Sequence, residues 1–543
     1  MEQPSAPSQA QAQPSDTAVL PRQRIEPPRP EPVIPMDPEW LASLQVMQPL
    51  YGKNLRPPSA VRGLVSLDNP EALAKFNVTL KVFAVVLPAA EVSTYFARLG
   101  KLHLNFPKRR NALPFPGDPQ RRMIILFYAA PQDTPLVGEI PTPADEFIPQ
   151  LPAGEMADSM RDLGASANLV VFGVQYTVDS WNLEEILTAV LPVDPPASFE
   201  QVGHVAHYNL RDEHLPYKTV VGQATMLKFP RLRTIVNKTH NIDNTFRFFQ
   251  MELLAGDNDF NVEVKESGCI FRFDFSRVYF NSRLQQEHWR IIQGCPAPNV
   301  ACDMMAGVGP FAIPIAKQKC VVYANDLNPV AFESLLVNAK ANKVAHLVHA
   351  SNQDGRKFVR DLAVRILASH LSGKPNPLPA FTQVMMNLPA IAVEFLDSFM
   401  GIFGEEAEAE ARAQQPTSTL ALGFRDVFKV LPVIHVYMFT NAENMAADAI
   451  ARTSKHLRFP VDDHLVKVHD VRDVAPKKHM FCVSFRLPEQ VAYANATEAA
   501  SLSAVAQKRN HQESAATDAD VVASSNAEDD AQNKRARLDD EQA

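Results

Sequence analysis

Two glycines and an acid carry the first chemical signal. Gly307 and Gly309 follow the apolar run Val300–Cys302 and its closing Asp303, and Asp326 stands at the end of a second apolar run, Cys320–Ala324. A GxG turn between a strand and a helix lets the backbone approach a bound group, because no Cβ intervenes. A carboxylate about 20 residues beyond, at the tip of the next strand, is where doubly wound sheets hold a ribose diol. The phosphate-cradling pattern GxxxxGK[ST] is absent, and Ala312 takes the place of the third glycine of the dinucleotide fingerprint. A nucleoside cofactor without a pyrophosphate fits better, and S-adenosylmethionine is the expected one. The competing reading is an ordinary βα turn.

The elements that must position these residues follow from hydrophobic pattern. Residues 291–492 read as a doubly wound sheet: Asp354-Gly355 follows the short run His346–Ala350, a strand over 381–386 ends at Asn387-Leu388-Pro389, and Val433–Thr440 and Met480–Leu487 supply the last two strands. Residues 371–380 are a loop insertion, and 404–419 are a second one, either an exposed helix or disordered. Residues 201–290 form a middle region. There a helix is expected to carry Lys218, Lys228, Arg231 and Arg233, with Lys238 just beyond, as a basic surface suited to phosphate contacts or merely to solubility. Asn244–Gly256 sets Arg247 among aromatics, and a hairpin turns at Ser267-Gly268. Residues 41–200 read as a smaller α/β domain with strands at 76–87, 123–128 and 169–176 and helices at 89–99 and 183–191. Its cluster Lys101, Lys108, Arg109 and Arg110 is a solvated loop or an RNA contact. Residues 1–40, rich in Pro, Gln and Ser, and 493–543 read as disordered tails; the second holds Lys534–Arg537, a weak nuclear signal or plain solvated charge.

A chain of 543 residues accommodates about two to four domains. The net charge of −8 does not exclude a nucleic-acid partner, because residues 1–40, 501–543 and the run Glu405–Arg412 carry more than the whole of it. Five cysteines (Cys269, Cys295, Cys302, Cys320, Cys482) show no CxxC pairing, so neither zinc nor a disulfide framework is indicated, and a reducing compartment fits. No apolar run is long enough for a membrane span. The first residues lack a signal-peptide core and make a poor mitochondrial presequence.

Several stretches in order carry a resemblance: RGLVSLD from Arg62, FRFFQMELLAG from Phe246, SRVYFNSRLQQEHWRI from Ser276, DMMAGVGPF from Asp303, NDLNP from Asn325, NLPA from Asn387 and DVRDVAPKKHMFCVSF from Asp470. Over residues 45–490 the chain resembles the eukaryotic tRNA (guanine-37-N1)-methyltransferase family. The departures are Met305, where an aromatic is expected, and 404–419 and both tails, which have no counterpart. The resemblance implies a Rossmann-like class I methyltransferase domain preceded by two smaller RNA-binding domains, the first reading the outer corner of tRNA and the other two gripping the anticodon stem-loop. It implies methyl transfer from S-adenosylmethionine to N1 of the guanosine 3′ of the anticodon, which guards the reading frame and opens the route to wybutosine, by a monomer that needs no metal. Cytoplasm is the implied compartment, with mitochondrial matrix and nucleus as further ones.

By the same resemblance Glu287 is the base that takes the N1 proton and Arg247 the partner of O6. Tyr279 and Asn387 fix the flipped base or the methyl end of the cofactor. Asp326 takes the ribose, Asp354 and Gly355 the adenine edge, Gly307 and Gly309 the methionine end, and Leu327 and His288 lie against the cofactor. Taken singly, each has a plainer reading: Glu287 as a helix acid paired with Arg283 or Arg290, Arg247 as a cation–π contact, Asn387 as a strand end. The rivals are the wybutosine-pathway transferase that moves the aminocarboxypropyl group of the same cofactor, an amino-methyltransferase, which usually shows Asn/Asp-Pro-Pro-Tyr/Phe where this chain has Asn387-Leu-Pro-Ala, and a catalytically silent RNA-binding scaffold.

Overall fold

The computed structural model describes residues 56–99, 103, 110, 112–115, 118–129, 142–143, 168–242, 249–461, 466–495 and 497–498. Arg247, Lys101, Lys108, Arg109, Lys534–Arg537 and nearly all of both tails lie outside them. The chain divides into two compact units, residues 1–62 with 70–189, and residues 63–69 with 190–543.

In the first unit an antiparallel sheet runs in the order β2-β3-β1-β5-β4, from β1 (Val78–Pro88), β2 (Ala112–Phe115), β3 (Asp118–Ala129), β4 (Thr142–Pro143) and β5 (Asn168–Tyr176). Alternate residues of β1 face one way, so Ala84 and Val86 meet Met123 and Val170 in its core. Helices α1 (Val92–Leu99) and α2 (Leu183–Val190) belong to the same segment, the latter opened by a reciprocal Asn182–Glu185 cap.

The second unit begins with a four-stranded sheet, β6 (Glu200–Val202), β7 (Val205–Tyr208), β8 (Thr234–Ile242) and β9 (Phe249–Gly256). Helix α3 (Lys218–Lys228) stops ahead of Pro230, whose ring cannot continue it. Arg231 and Arg233 therefore fall beyond the helix rather than on it, and Lys238 sits inside β8. Acids also answer the basic surface: Lys218 pairs with Glu252, and Arg233 with Asp259 at 2.8 Å. The hairpin β10 (Asn261–Glu266) and β11 (Cys269–Asp274) turns at Ser267 and Gly268, φ 49° and 71°, the I′ geometry that matches strand twist. Helix α4 (Gln285–Gln293) then leads into the large sheet.

That sheet has seven strands: β12 (Ala301–Asp303), β13 (Val322–Asn325), β14 (Val348–Ser351), β15 (Gln383–Met386), β16 (Val433–Thr440), β17 (Lys467–Ala475) and β18 (Lys478–Arg486). Its order is β14-β13-β12-β15-β16-β18-β17, parallel from β14 to β16, with β18 antiparallel to both of its neighbours. This is the expected doubly wound α/β sheet with one strand more. The extra strand, β17, reads Lys-Val-His-Asp-Val-Arg-Asp-Val-Ala and shows no clean apolar alternation. It is a charged edge, which suits a strand with only one neighbour. Helix α5 (Ala312–Lys317), all but its last residue buried, α6 (Pro329–Ala341) and α7 (Gly355–Leu371) make the crossovers. In the 404–419 insertion, α8 (Glu405–Ala413) buries Ala411 in the main core, and its Arg412 donates to the Leu422 carbonyl at 2.8 Å. Helix α9 (Met445–Leu457) follows β16.

Gly309 locks α5 to α6. Its φ is +98°, and a Cβ there would lie 2.7 Å from Ile313 Cγ1 and 2.8 Å from Leu335 Cδ1. Gly309→Ala is therefore expected to destabilise the second unit by about 1–3 kcal/mol from overpacking and left-handed strain. Urea unfolding followed by far-UV circular dichroism measures it.

Candidate active site

Strand order reverses between β12 and β15, and ligands in open α/β sheets sit outside the carboxyl ends of the strands at such a switch point. A cleft of ≈ 460 Å³ opens there, walled by the turn after β12, by Asp326–Asn328 after β13, by Asp354-Gly355 after β14 and by Asn387–Pro389 after β15. Its volume falls in the range of small-molecule sites.

The turn and the acid are one device. Gly307, at φ +55°, donates its N–H to Asp326 Oδ2 at 2.7 Å, and Asn328 N–H donates to Oδ1 at 2.9 Å. A Cβ on Gly307 would meet nothing within 4 Å, so the backbone faces open cleft. Burial raises the Asp326 carboxyl above its ordinary value against the pull of these two amides. Each oxygen keeps acceptor capacity for a diol. Leu327 is half exposed beside it. Asp354 caps α7 by accepting from the Arg356 and Lys357 amides, and Gly355 packs under the Phe395 ring. Gly309 belongs to the turn but faces the core rather than the cleft.

Asn387 Oδ1, on the cleft wall, and Oδ2 of Asp303, at the end of β12, are both buried with no partner among the described residues. Burial, with the nearby charge of Asp326, pushes the Asp303 carboxyl up to about 8. A ligand bearing a positive group beside Met304 and Met305 would favour its ionised form. The orphaned Asn387 acceptor, the Asp326 carboxylate and the open Gly307 backbone together fit a cationic adenosyl ligand. An acid closing the strand before the turn was visible in the sequence; its complete burial, outside the cleft lining, was not. Asn325 was also missed: its amide donates to the Met304 and Gln353 carbonyls at 3.2 and 2.8 Å and staples the strand ends together.

The raised Asp303 has a consequence for stability. From the ordinary carboxylate range up to about 8, the folded protein holds a proton that the unfolded chain has released. Its stabilising contribution is thus complete in acid and lost as pH rises through that window. Asp303→Asn stays neutral throughout, so its melting temperature is expected to gain on the wild type between about pH 5 and pH 8, by scanning calorimetry without ligand.

Tyr279, 47% exposed, and His288 line the cleft near the Gly307 turn. His288 Nδ1 lies 2.6 Å from Glu266 Oε1, both side chains buried, and its ring meets Phe311 edge-on at 4.8 Å. Glu287 does not line the cleft: it is 5% exposed, and its carboxylate is taken up by other side chains. Arg290 donates Nε to Oε2 and Nη2 to Oε1, each at 2.7 Å, and Tyr437 Oη donates to Oε1 at 2.6 Å. His469 Nε2 stands 3.4 Å from Oε2. The plainer expectation of a pairing with Arg290 is met, while Arg283 pairs elsewhere, with Glu200. Among the described residues, no group of His, Cys, Asp and Glu is arranged to hold a metal, and no helix is long and apolar enough to cross a membrane.

Residues 262–408 match the TRM5/TYW2 methyltransferase domain, and 182–259 match the TYW2 N-terminal domain. A tRNA (guanine(37)-N(1))-methyltransferase of Batrachochytrium dendrobatidis is 38% identical over 472 residues, covering 80% of this chain and 91% of its own. The protein of that name from Phytophthora infestans is 40% identical over 431 residues, covering 78% and 93%. This chain belongs to the tRNA (guanine(37)-N(1))-methyltransferase family. A crystal structure of Trm5b from Pyrococcus abyssi is also similar, at 22% identity and a TM-score of 0.46, covering 75% of this chain and 99% of that one.

In this family member the structure gathers Tyr279, His288, Gly307, Asp326, Leu327, Asp354, Gly355 and Asn387 around one cleft. It sets Glu287 one helix position from His288 but in a separate buried network, and Arg247 lies outside the described residues. Tyr437 and His469, which complete that network, were not read as site residues, because nothing local marks them.

Proposed function

We infer that the protein transfers the methyl group of S-adenosylmethionine to N1 of guanosine 37 in tRNA. The observation that carries this is the identity to relatives of that name over about nine-tenths of their length. N1 of guanine bears a proton at neutral pH, so its lone pair is not free to attack. The chain must remove that proton and stabilise the charge that gathers on O6. Bound S-adenosylmethionine supplies a methyl on a sulfonium as the electrophile. Asp326 takes the ribose, Asp354 and Gly355 the adenine edge, the Gly307 turn the methionine end, and Gly309 holds that turn. Asn387, whose Oδ1 lacks a partner among the described residues, and Tyr279 orient the base, and Leu327 and His288 back the cofactor. Glu287 accepts the N1 proton, and Arg247 donates to O6. In the resting protein Arg290 and Tyr437 occupy the Glu287 carboxylate, so the base is engaged only when RNA docking reorients it. The base must leave its stack for N1 to be reached.

Residues 41–200 read the outer corner of tRNA, and 201–290 with 291–492 hold the anticodon stem-loop. The protein acts as a monomer in the cytoplasm, with mitochondrial matrix and nucleus as further sites. The second reading, aminocarboxypropyl transfer, is favoured by the match of residues 182–259 to a TYW2 domain. One experiment separates the two. Purified protein, labelled cofactor and unmodified tRNA transcript are incubated, and the nucleoside is mapped and weighed. A single added methyl at N1 of guanosine 37 is expected, and the larger side chain there would overturn the reading.

A further inference from the structure

A second cavity, ≈ 550 Å³, lies in the same unit and is joined to the cleft by the segment Asn281–Leu284, whose Arg283 lines it while Asn281 and Leu284 line the cleft. Glu200, His207, Arg211, His214, Lys238 and Arg283 line it. Three cations meet two acids, since Glu200 holds Arg283 at 2.6 Å and Glu213, beside the cavity, holds Arg211 at 2.9 Å, which leaves one positive charge in excess. Burial, and then the charges of Lys238 and Arg283, lower the pKa of His207 to about 3, so this imidazole stays neutral in a positive field. The arrangement calls for an anion. His214 adds a second requirement. It is 1% exposed, its Nε2 donates to the Asp194 carbonyl at 2.8 Å, and its Nδ1 has no partner among the described residues. With Nε2 carrying the proton, Nδ1 is an acceptor waiting for a hydroxyl. Phosphate oxygens beside a free ribose hydroxyl are what an RNA strand offers.

We propose that this cavity binds one backbone phosphate of the tRNA substrate with its ribose, and that the phosphate takes Arg283 away from Glu200. The resting Arg283–Glu200 pair is 2.6 Å long and half exposed, worth little to the fold and replaceable by a phosphate held through the same guanidinium fork. Arg283 belongs to the Asn281-capped turn Ser282–Leu284, which runs straight into α4 and so into Glu287 and His288. Docking of the strand is thereby joined mechanically to the helix that presents the base. This deepens the assignment as a tRNA methyltransferase and rests on it.

The test uses the full chain and an unmodified tRNA transcript. Binding is measured across a potassium chloride series, with steady-state methylation alongside. Arg211 is well exposed and its pair with Glu213 is a surface one, worth little to the fold, so Arg211→Gln should fold. It is expected to flatten the slope of log affinity against log salt by about one and to raise KM for tRNA about tenfold, with cofactor affinity unchanged. Arg283→Gln should do the same and lower kcat as well, and Glu200→Gln, which removes the competing acid, should tighten tRNA binding. Wild-type slope and KM in Arg211→Gln and Arg283→Gln, with N1 methylation intact, overturn the cavity while sparing the activity. Melting is also followed with inorganic phosphate as probe: protection of the wild type that is lost in Arg211→Gln and Arg283→Gln while their tRNA binding is unchanged would overturn it, since the cavity then takes free phosphate. Failure of the wild type to methylate would instead strike the proposed function, and the salt slopes would still report on the cavity.

Discussion

Glu287→Gln is expected to slow single-turnover methylation by about 10²–10⁴-fold, the span of positioned proton transfer, while leaving cofactor and tRNA affinity within a few fold. The difficulty is that Glu287 also holds structure. Its carboxylate accepts three hydrogen bonds from Arg290 and Tyr437, and removing one member of a fully buried pair costs about 3–5 kcal/mol. Arg290 is 38% exposed at its side chain, so water compensates it and the penalty here is smaller. Gln keeps the shape and can still accept from Tyr437. The control is Tyr437→Phe, which removes one donor but no base: it should shift the melting temperature while lowering the rate far less than Glu287→Gln does. A Glu287→Gln enzyme that turns over like wild type would remove the residue from the reaction.

Asp326→Ala should weaken S-adenosylmethionine binding by about 100-fold or more. Hydrogen bonds to a charged group contribute about 1.5–3 kcal/mol each, and 1.4 kcal/mol is tenfold in affinity. The substitution deletes the acceptor for a diol and also the acceptor that pins the Gly307 amide at 2.7 Å. Asp326→Asn keeps one oxygen and should fall between. Isothermal titration with cofactor, beside tRNA binding by filter retention, separates cofactor loss from general damage. Undiminished cofactor affinity in Asp326→Ala would mean that the cleft holds its ligand by other contacts.

What could be read in advance was local. The Gly307 turn, Asp326 and the strand ends at Asp354 and Asn387 are marked by neighbours a few positions away, since a parallel strand, its turn and its crossover helix are contiguous. The hairpin at Ser267-Gly268 was legible for the same reason. Strand β17 was hidden because an edge strand with Asp470, Arg472 and Asp473 looks like a loop to a hydrophobic pattern. Arg231 and Arg233 were misplaced because Pro230 outweighs the basic spacing. Asp303 could be seen but not weighed, since only its complete burial makes its carboxyl unusual. The setting of Glu287 was out of reach, because its partners Tyr437 and His469 come from two distant strands.

The Tyr437–Glu287 bond spans 150 positions of chain, which bears on the order in which the enzyme becomes competent during synthesis. A ribosome that has released residues up to about 400 has emitted nearly all of the cofactor wall, from Gly307 to Pro389. The carboxylate at that moment has only Arg290 beside it. Tyr437, and then His469 on the terminal hairpin, arrive last. A prematurely terminated polypeptide therefore carries the residues of that wall but not the two strands that hold the Glu287 carboxylate in its resting place.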